Sequence, residues 1–126
     1  MEIYFDGGCA PNPGAMSSCI VICRPGQKAQ AFTMKDLGQG TNNVAEWSAL
    51  VWAALWAKDN GVQKATIYGD SLLVINQASG AWKINNQLLA NLFKQFKEVS
   101  NGLDLELCHV YRDSNLAGIY LEHGTL

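Results

Sequence analysis

The amino-acid sequence predicts an α/β fold built on a mixed β-sheet. The opening part of the chain holds three β-rich segments separated by turn signals, the pattern of an antiparallel meander. The remainder alternates helical and strand-like segments, which suits parallel βαβ packing. The size fits the same picture: 126 residues with 48% hydrophobic and 16% charged side chains make one globular domain, residues 1–126, with a core of its own.

The first strand begins with Ile3, Tyr4 and Phe5, β-formers without a polar break, as expected of a central, covered strand. It delivers Asp6 at its end. Gly7 and Gly8 follow, so a bulky ligand can approach the backbone there, although Asp-Gly is equally a hairpin signal. A Pro/Asn/Gly turn over 11–14 leads into a second strand, 17–23, and Arg24-Pro25-Gly26-Gln27 turns into a third, 29–35. Residues 36–40 read as loop. Thr41, Asn42 and Asn43 are all N-cap types and open a helix. From Val44 to Ala57 this helix is apolar almost all round, so it is covered on more than one side. Glu46 interrupts it, either as a first-turn acid favoured by the helix dipole or as a carboxylate kept among tryptophans and leucines for a function. Asn60-Gly61 ends the helix, and 65–69 is the fourth strand. Asp70 stands between that strand and a helix from Leu72 to Gln77. Such a position serves an N-cap, or the wall of a ligand crevice at a strand carboxyl end. Residues 80–83 break the pattern. Asn86 to Ser100 is amphipathic, with Leu89, Leu92, Phe93, Phe96 and Val99 on one side. A fifth strand, 103–111, and a short last helix, 116–122, complete the chain.

Composition narrows the function classes. No run of about 20 apolar residues exists, so no membrane span is expected. Met1-Glu2 leads straight into a strand, which predicts no signal peptide and a cytoplasmic protein with reduced cysteines. Cys9, Cys19, Cys23 and Cys108 show no C-x-x-C spacing, and His109 and His123 lie far apart, which argues against zinc. The net charge of −2 excludes a wide basic footprint, so a nucleic-acid partner must be held locally.

Asp6, Glu46 and Asp70 are the carboxylates that a mixed sheet could bring to one edge. Held close, they repel one another and raise each other's pKa. A hard divalent cation removes that penalty, and Mg²⁺ takes oxygen ligands, water and phosphate. Each acid alone also fits an ordinary structural place.

The motifs Tyr4-Phe5-Asp6-Gly7-Gly8, Asn12-Pro13-Gly14, Thr41-Asn42-Asn43-Val44-Ala45-Glu46, Tyr68-Gly69-Asp70-Ser71 and Arg112-Asp113-Ser114-Asn115 come in an order that resembles type 1 ribonuclease H over nearly the whole chain. The resemblance implies a ribonuclease H-like fold, a five-stranded mixed sheet of order 3-2-1-4-5 flanked by helices. It implies endonucleolytic cleavage of the RNA strand of RNA–DNA hybrids with two Mg²⁺ or Mn²⁺ ions. Asp6, Glu46 and Asp70 match three of four metal-binding catalytic carboxylates. Asn12, Asn42 and Asn43 match minor-groove contacts, Cys9 a position near the scissile strand, and Thr41 a contact to a DNA phosphate. Trp82 matches the DNA-facing surface or the core. A monomer is expected.

Three departures follow. The segment between Trp82 and Leu88 is too short for the basic handle of some relatives. Leu72 stands where some carry a glutamine. Counting without gaps from Arg112 places the fourth aspartate at Ile119, which is not an acid. The expectation is an atypical site with one weakly held ion, residual activity and a preference for Mn²⁺, or a catalytically weak relative that binds nucleic acid or protein. Glu122 lies one helical turn from Ile119 on nearly the same face, as a replacement ligand or a solvated acid. Asp113 and Asn115 are further candidates.

Overall fold

The computed structural model describes all 126 residues, Met1–Leu126. The strands are β1 (Glu2–Cys9), β2 (Gly14–Cys23), β3 (Gln30–Met34), β4 (Gln39–Gly40), β5 (Lys64–Gly69) and β6 (Asp104–His109). The helices are α1 (Asn42–Asp59), α2 (Leu72–Ala78), α3 (Gln87–Ser100) and α4 (Leu116–His123), with a single 3₁₀ turn at Arg112–Ser114. The sheet order is β3-β2-β1-β5-β6, with β4 paired to β2 off that path. The five principal strands thus take the expected order. The sixth, β4, falls in the stretch read as loop: Gln39 and Gly40 pair with Ala15 and Gly14. A Cβ at Gly40 would meet the Met16 sulfur, so glycine lets that side chain lie against the pairing.

The first strand does not end at Asp6. It continues to Cys9, because β2 begins early enough to pair Asp6 with Cys19, Gly7 with Ser18, Gly8 with Ser17 and Cys9 with Met16. On its other side, β1 pairs with β5 only through Glu2, Ile3 and Tyr4. Parallel pairing therefore stops two residues before Asp6, and the sheet opens between the carboxyl ends of β1 and β5. This is the switch-point crevice of an open α/β sheet.

One face of the sheet carries α1, α2 and α3 over a core that includes Ile3, Phe5, Ile20, Trp47, Leu50, Ile67 and Phe96. Helix α1 turns five alanines inward (Ala45, Ala49, Ala53, Ala54, Ala57), all fully buried, and so approaches the sheet closely. It packs on β1, β2 and α3, which explains its nearly all-round apolar character. The Trp47 indole N–H donates to Gln77 Oε1 at 3.0 Å, tying α1 to α2 inside the core. The opposite face is covered by α4, where Ala117 meets Cys19 and Val21 among Tyr4, Tyr120 and Leu121. No helix is long and apolar enough to cross a membrane.

Candidate active site

Gly7 sets the distance between α1 and the sheet. A Cβ there would overlap the Ala45 carbonyl, so only glycine lets the helix pass this close. The Ser18 hydroxyl donates to the same carbonyl at 3.1 Å and clamps the crossing. The next residue of the helix, Glu46, is thereby pressed against Asp6. Glu46 is not a first-turn acid: Thr41 is the N-cap, and the first turn of α1 holds no acidic residue. Asp70 is not a cap either. Ser71 caps α2 through its hydroxyl, which accepts from the Val74 N–H, and this leaves the Asp70 carboxylate free to face the crevice.

Asp6, Glu46 and Asp70 each bring a carboxylate oxygen within 4.8 Å of the others. Asp6 is 1% exposed and Glu46 7%. Burial raises the Asp6 pKa, and the Asp70 charge adds to this, against the lowering influence of Glu46 and Arg112. Burial pushes Glu46 well above the usual carboxylate range, reinforced by its proximity to Asp6 and by the charge of Asp70. Two oxygens, Asp6 Oδ1 and Glu46 Oε2, are buried without any hydrogen-bond partner. Orphaned anionic oxygens in a cluster are the donor set of a hard divalent cation, so these residues fit Mg²⁺ or Mn²⁺.

Arg112 is the site residue that the sequence motif contained but did not assign. Its Nη1 donates to Asp6 Oδ2 at 2.9 Å and to Asp70 Oδ2 at 3.3 Å. Gly118 makes room for it, since a Cβ on that glycine would stand 3.0 Å from Nη1. Asn115 is fully buried and acts as a pin. Its side-chain amide donates to the Phe5 carbonyl at 3.0 Å and to Asp70 Oδ2 at 2.8 Å, while its oxygen caps α4 at Ala117 N–H. That oxygen is spent, so Asn115 does not replace a missing metal ligand. Asp113 is exposed in the 3₁₀ turn and takes no part in the acidic cluster.

An open cavity of about 540 Å³ borders the cluster, with Asp6, Cys9, Asn42, Glu46, Arg112 and Glu122 among its walls. Ile119 is half-buried and, like Asp70, is not among the residues that line this cavity. A second cleft of about 530 Å³ adjoins through Asn42 and is bordered by Asn12, Thr41, Asn43 and Asn86. Asn86, unassigned in the sequence, was recognisable only as a helix-opening asparagine. In this polar region the asparagine oxygens are committed inward. Asn42 Oδ1 accepts from the Cys9 N–H at 3.1 Å and from its thiol at 3.4 Å. Asn12 Oδ1 accepts from the Asn42 N–H at 3.2 Å and the Cys9 thiol at 3.4 Å. Asn86 Oδ1 accepts from the Leu89 N–H at 3.1 Å. Their NH₂ groups are left to donate outward, and the cleft is a donor surface suited to ligand oxygens. Trp82, 49% exposed, lies outside the acidic cluster, as does Leu72.

Together, the mixed sheet and the acidic switch-point crevice define a ribonuclease H-like α/β protein. The family described as reverse transcriptase-like matches residues 4–121. Ribonuclease HI of Halobacterium salinarum is 34% identical over 116 residues, covering 91% of this chain and 58% of that protein. The crystal structure of RNase H1 from the same halophilic archaeon superposes with a TM-score of 0.87 at 32% identity, over 95% of this chain and 92% of that one. LC11-RNase H1, solved in complex with an RNA/DNA hybrid, gives a TM-score of 0.82 at 26% identity, over 91% and 88%. The chain belongs to the type 1 ribonuclease H family. It spans little more than half the length of the curated Halobacterium relative.

Proposed function

We propose that this chain is a divalent-metal-dependent endonuclease that cuts the RNA strand of RNA–DNA hybrids, as a cytoplasmic monomer with an atypical metal site lacking an aspartate at position 119. The observation that carries the reading is the meeting of Asp6, Glu46 and Asp70 within 4.8 Å, with two buried oxygens left unpartnered. Asp6, Glu46 and Asp70 would hold Mg²⁺ or Mn²⁺. Such a cation supplies charge to the phosphate oxygens and acidifies bound water. The protein's own part is positioning. Asn115 fixes Asp70 against β1, and Arg112 offers a guanidinium beside the two aspartates. Asn12, Asn42 and Asn43 face the minor groove, where 2′-hydroxyls distinguish RNA from DNA. Thr41 holds a DNA phosphate, and Cys9 keeps the asparagine amides turned outward beside the scissile strand. The hybrid bound by LC11-RNase H1 supports this choice of substrate.

The test is cleavage of end-labelled hybrid, duplex DNA and duplex RNA in Mg²⁺ and in Mn²⁺. The expected result is cleavage of the hybrid alone, stronger in Mn²⁺, and abolished by Asp6→Asn. Absence of an acid at Ile119 favours one second reading, a catalytically weak binding module. Hybrid binding without cleavage in either metal would establish it in place of the first.

A further inference from the structure

We infer that Glu122 is a metal ligand on the open side of the acidic cluster, filling a role that Ile119 cannot. The inference rests on the proposed metal-dependent reading and adds a residue to it. Asp6 is divided between two surroundings. Its Oδ2 is engaged by Arg112, while its Oδ1 is buried and has no partner. Glu46 Oε2 is in the same condition. Both residues are more than nine-tenths buried and both line the 540 Å³ cavity. Asp70 is not on that wall; its Oδ2 is taken up by Arg112 and Asn115. A cation on the cavity side therefore has two buried anionic oxygens to meet. Glu122 is the only other carboxylate on the cavity wall.

The helix brings it there. Gly118 lies against the Arg112 guanidinium, so this face of α4 is the one that meets the site. Glu122 is four residues further along and shares that face. Helical side chains lean toward the helix start, which for Glu122 is toward Gly118 and Arg112. Its carboxylate has no structural employment: it is exposed, and its one close side-chain neighbour of ion-pairing type is the His123 ring at 4.0 Å. A glutamate in the last turn reaches farther than an aspartate would, so an acid one turn later serves a cavity that position 119 does not border.

The experiment measures Mn²⁺ binding to the whole protein without nucleic acid, by the loss of the free-ion EPR signal, alongside hybrid cleavage as a function of Mn²⁺. Glu122→Gln is expected to weaken Mn²⁺ binding by about tenfold or more, as loss of groups that hold or orient a metal does. Cleavage should then recover at raised Mn²⁺. Asp113→Asn removes a nearby exposed charge that does not line the cavity, and is expected to leave Mn²⁺ affinity unchanged. Equal weakening by both variants means a diffuse charge effect and overturns the assignment. So does wild-type affinity in Glu122→Gln, or tighter binding in Ile119→Asp with no loss in Glu122→Gln. If wild-type protein never cuts a hybrid yet Glu122→Gln alone weakens Mn²⁺ binding, the substrate reading fails and the ligand assignment stands.

Discussion

Glu46 keeps an unpaired carboxylate oxygen inside the protein, so its charge opposes folding until something neutralises it. Its pKa is raised well above the ordinary range, chiefly by burial, as is that of Asp6. A raised acid pKa means that the folded state holds protons the unfolded chain releases. The resulting stabilisation is complete below the ordinary carboxylate range and is lost as pH rises through the elevated native values. Metal-free protein should therefore lose melting temperature from mildly acidic pH towards neutral, and saturating Mg²⁺ should remove that loss. Glu46→Gln keeps the shape and deletes the charge. It is expected to stabilise metal-free protein at neutral pH by roughly 1–3 kcal/mol and to diminish the Mg²⁺-induced shift, both read from thermal melts with and without EDTA. A destabilised variant would show that the charge is already compensated. Asn42 offers a second test. Asn42→Asp preserves an oxygen for the Cys9 N–H and thiol but deletes the outward donors. The melting temperature should barely move while the hybrid Kd rises about tenfold or more, the scale of a lost hydrogen bond plus an added repulsion. An unchanged Kd would remove Asn42 from the interface.

The pieces that place these residues are the contact of α1 with β1 and the start of α4. Gly7→Ala forces a methyl group onto the Ala45 carbonyl. The helix must shift, with a stability loss of about 1–3 kcal/mol for overpacking and a displaced Glu46. Calorimetry and Mn²⁺ titration together should register both losses; a loss of stability with full Mn²⁺ affinity would mean that Glu46 is not located by this crossing. The same contacts show what the sequence could and could not reveal. Element types were legible, because hydrophobic periodicity and cap residues are local. So were Asp6, Glu46 and Asp70 as a set, through their motifs. The continuation of β1 past Asp6 is hidden in the sequence, because Gly7 and Gly8 look like a turn and their pairing with Ser18 and Ser17 depends on a distant partner. The place of Arg112 in the site rests on contacts with Asp6 and Asp70, residues distant in sequence, and so is visible only in three dimensions. Counting along the last helix picks out Ile119 as a non-acidic position, while the place of Glu122 on the cavity wall emerges only from the folded helix. Sequence spacing conveys position along a helix, not how that helix is rotated against the sheet.

At the scale of the whole molecule, nine basic and eleven acidic side chains leave a net charge of −2. Any hybrid must therefore approach a protein with no long-range attraction for phosphates, and the donor clefts beside the acidic cluster must do the capturing. Neutral amide donors such as those of Asn12, Asn42 and Asn86 bind oxygen without releasing counterions. Only a few cationic contacts, with Arg112 on the cavity wall as the candidate, exchange phosphate for bound salt. If about two to four ion contacts form, log Kd should rise with log salt at a slope of roughly 2–4, a loss of about 10- to 300-fold between 50 and 200 mM. Relatives with a basic handle should show a steeper slope. Fluorescence anisotropy of a labelled hybrid, with Ca²⁺ in place of the catalytic metal, measures this directly. Salt-independent binding would mean that phosphates are not engaged and would count against a nuclease. A slope as steep as that of a handled relative would mean that another surface of this chain supplies the missing charge.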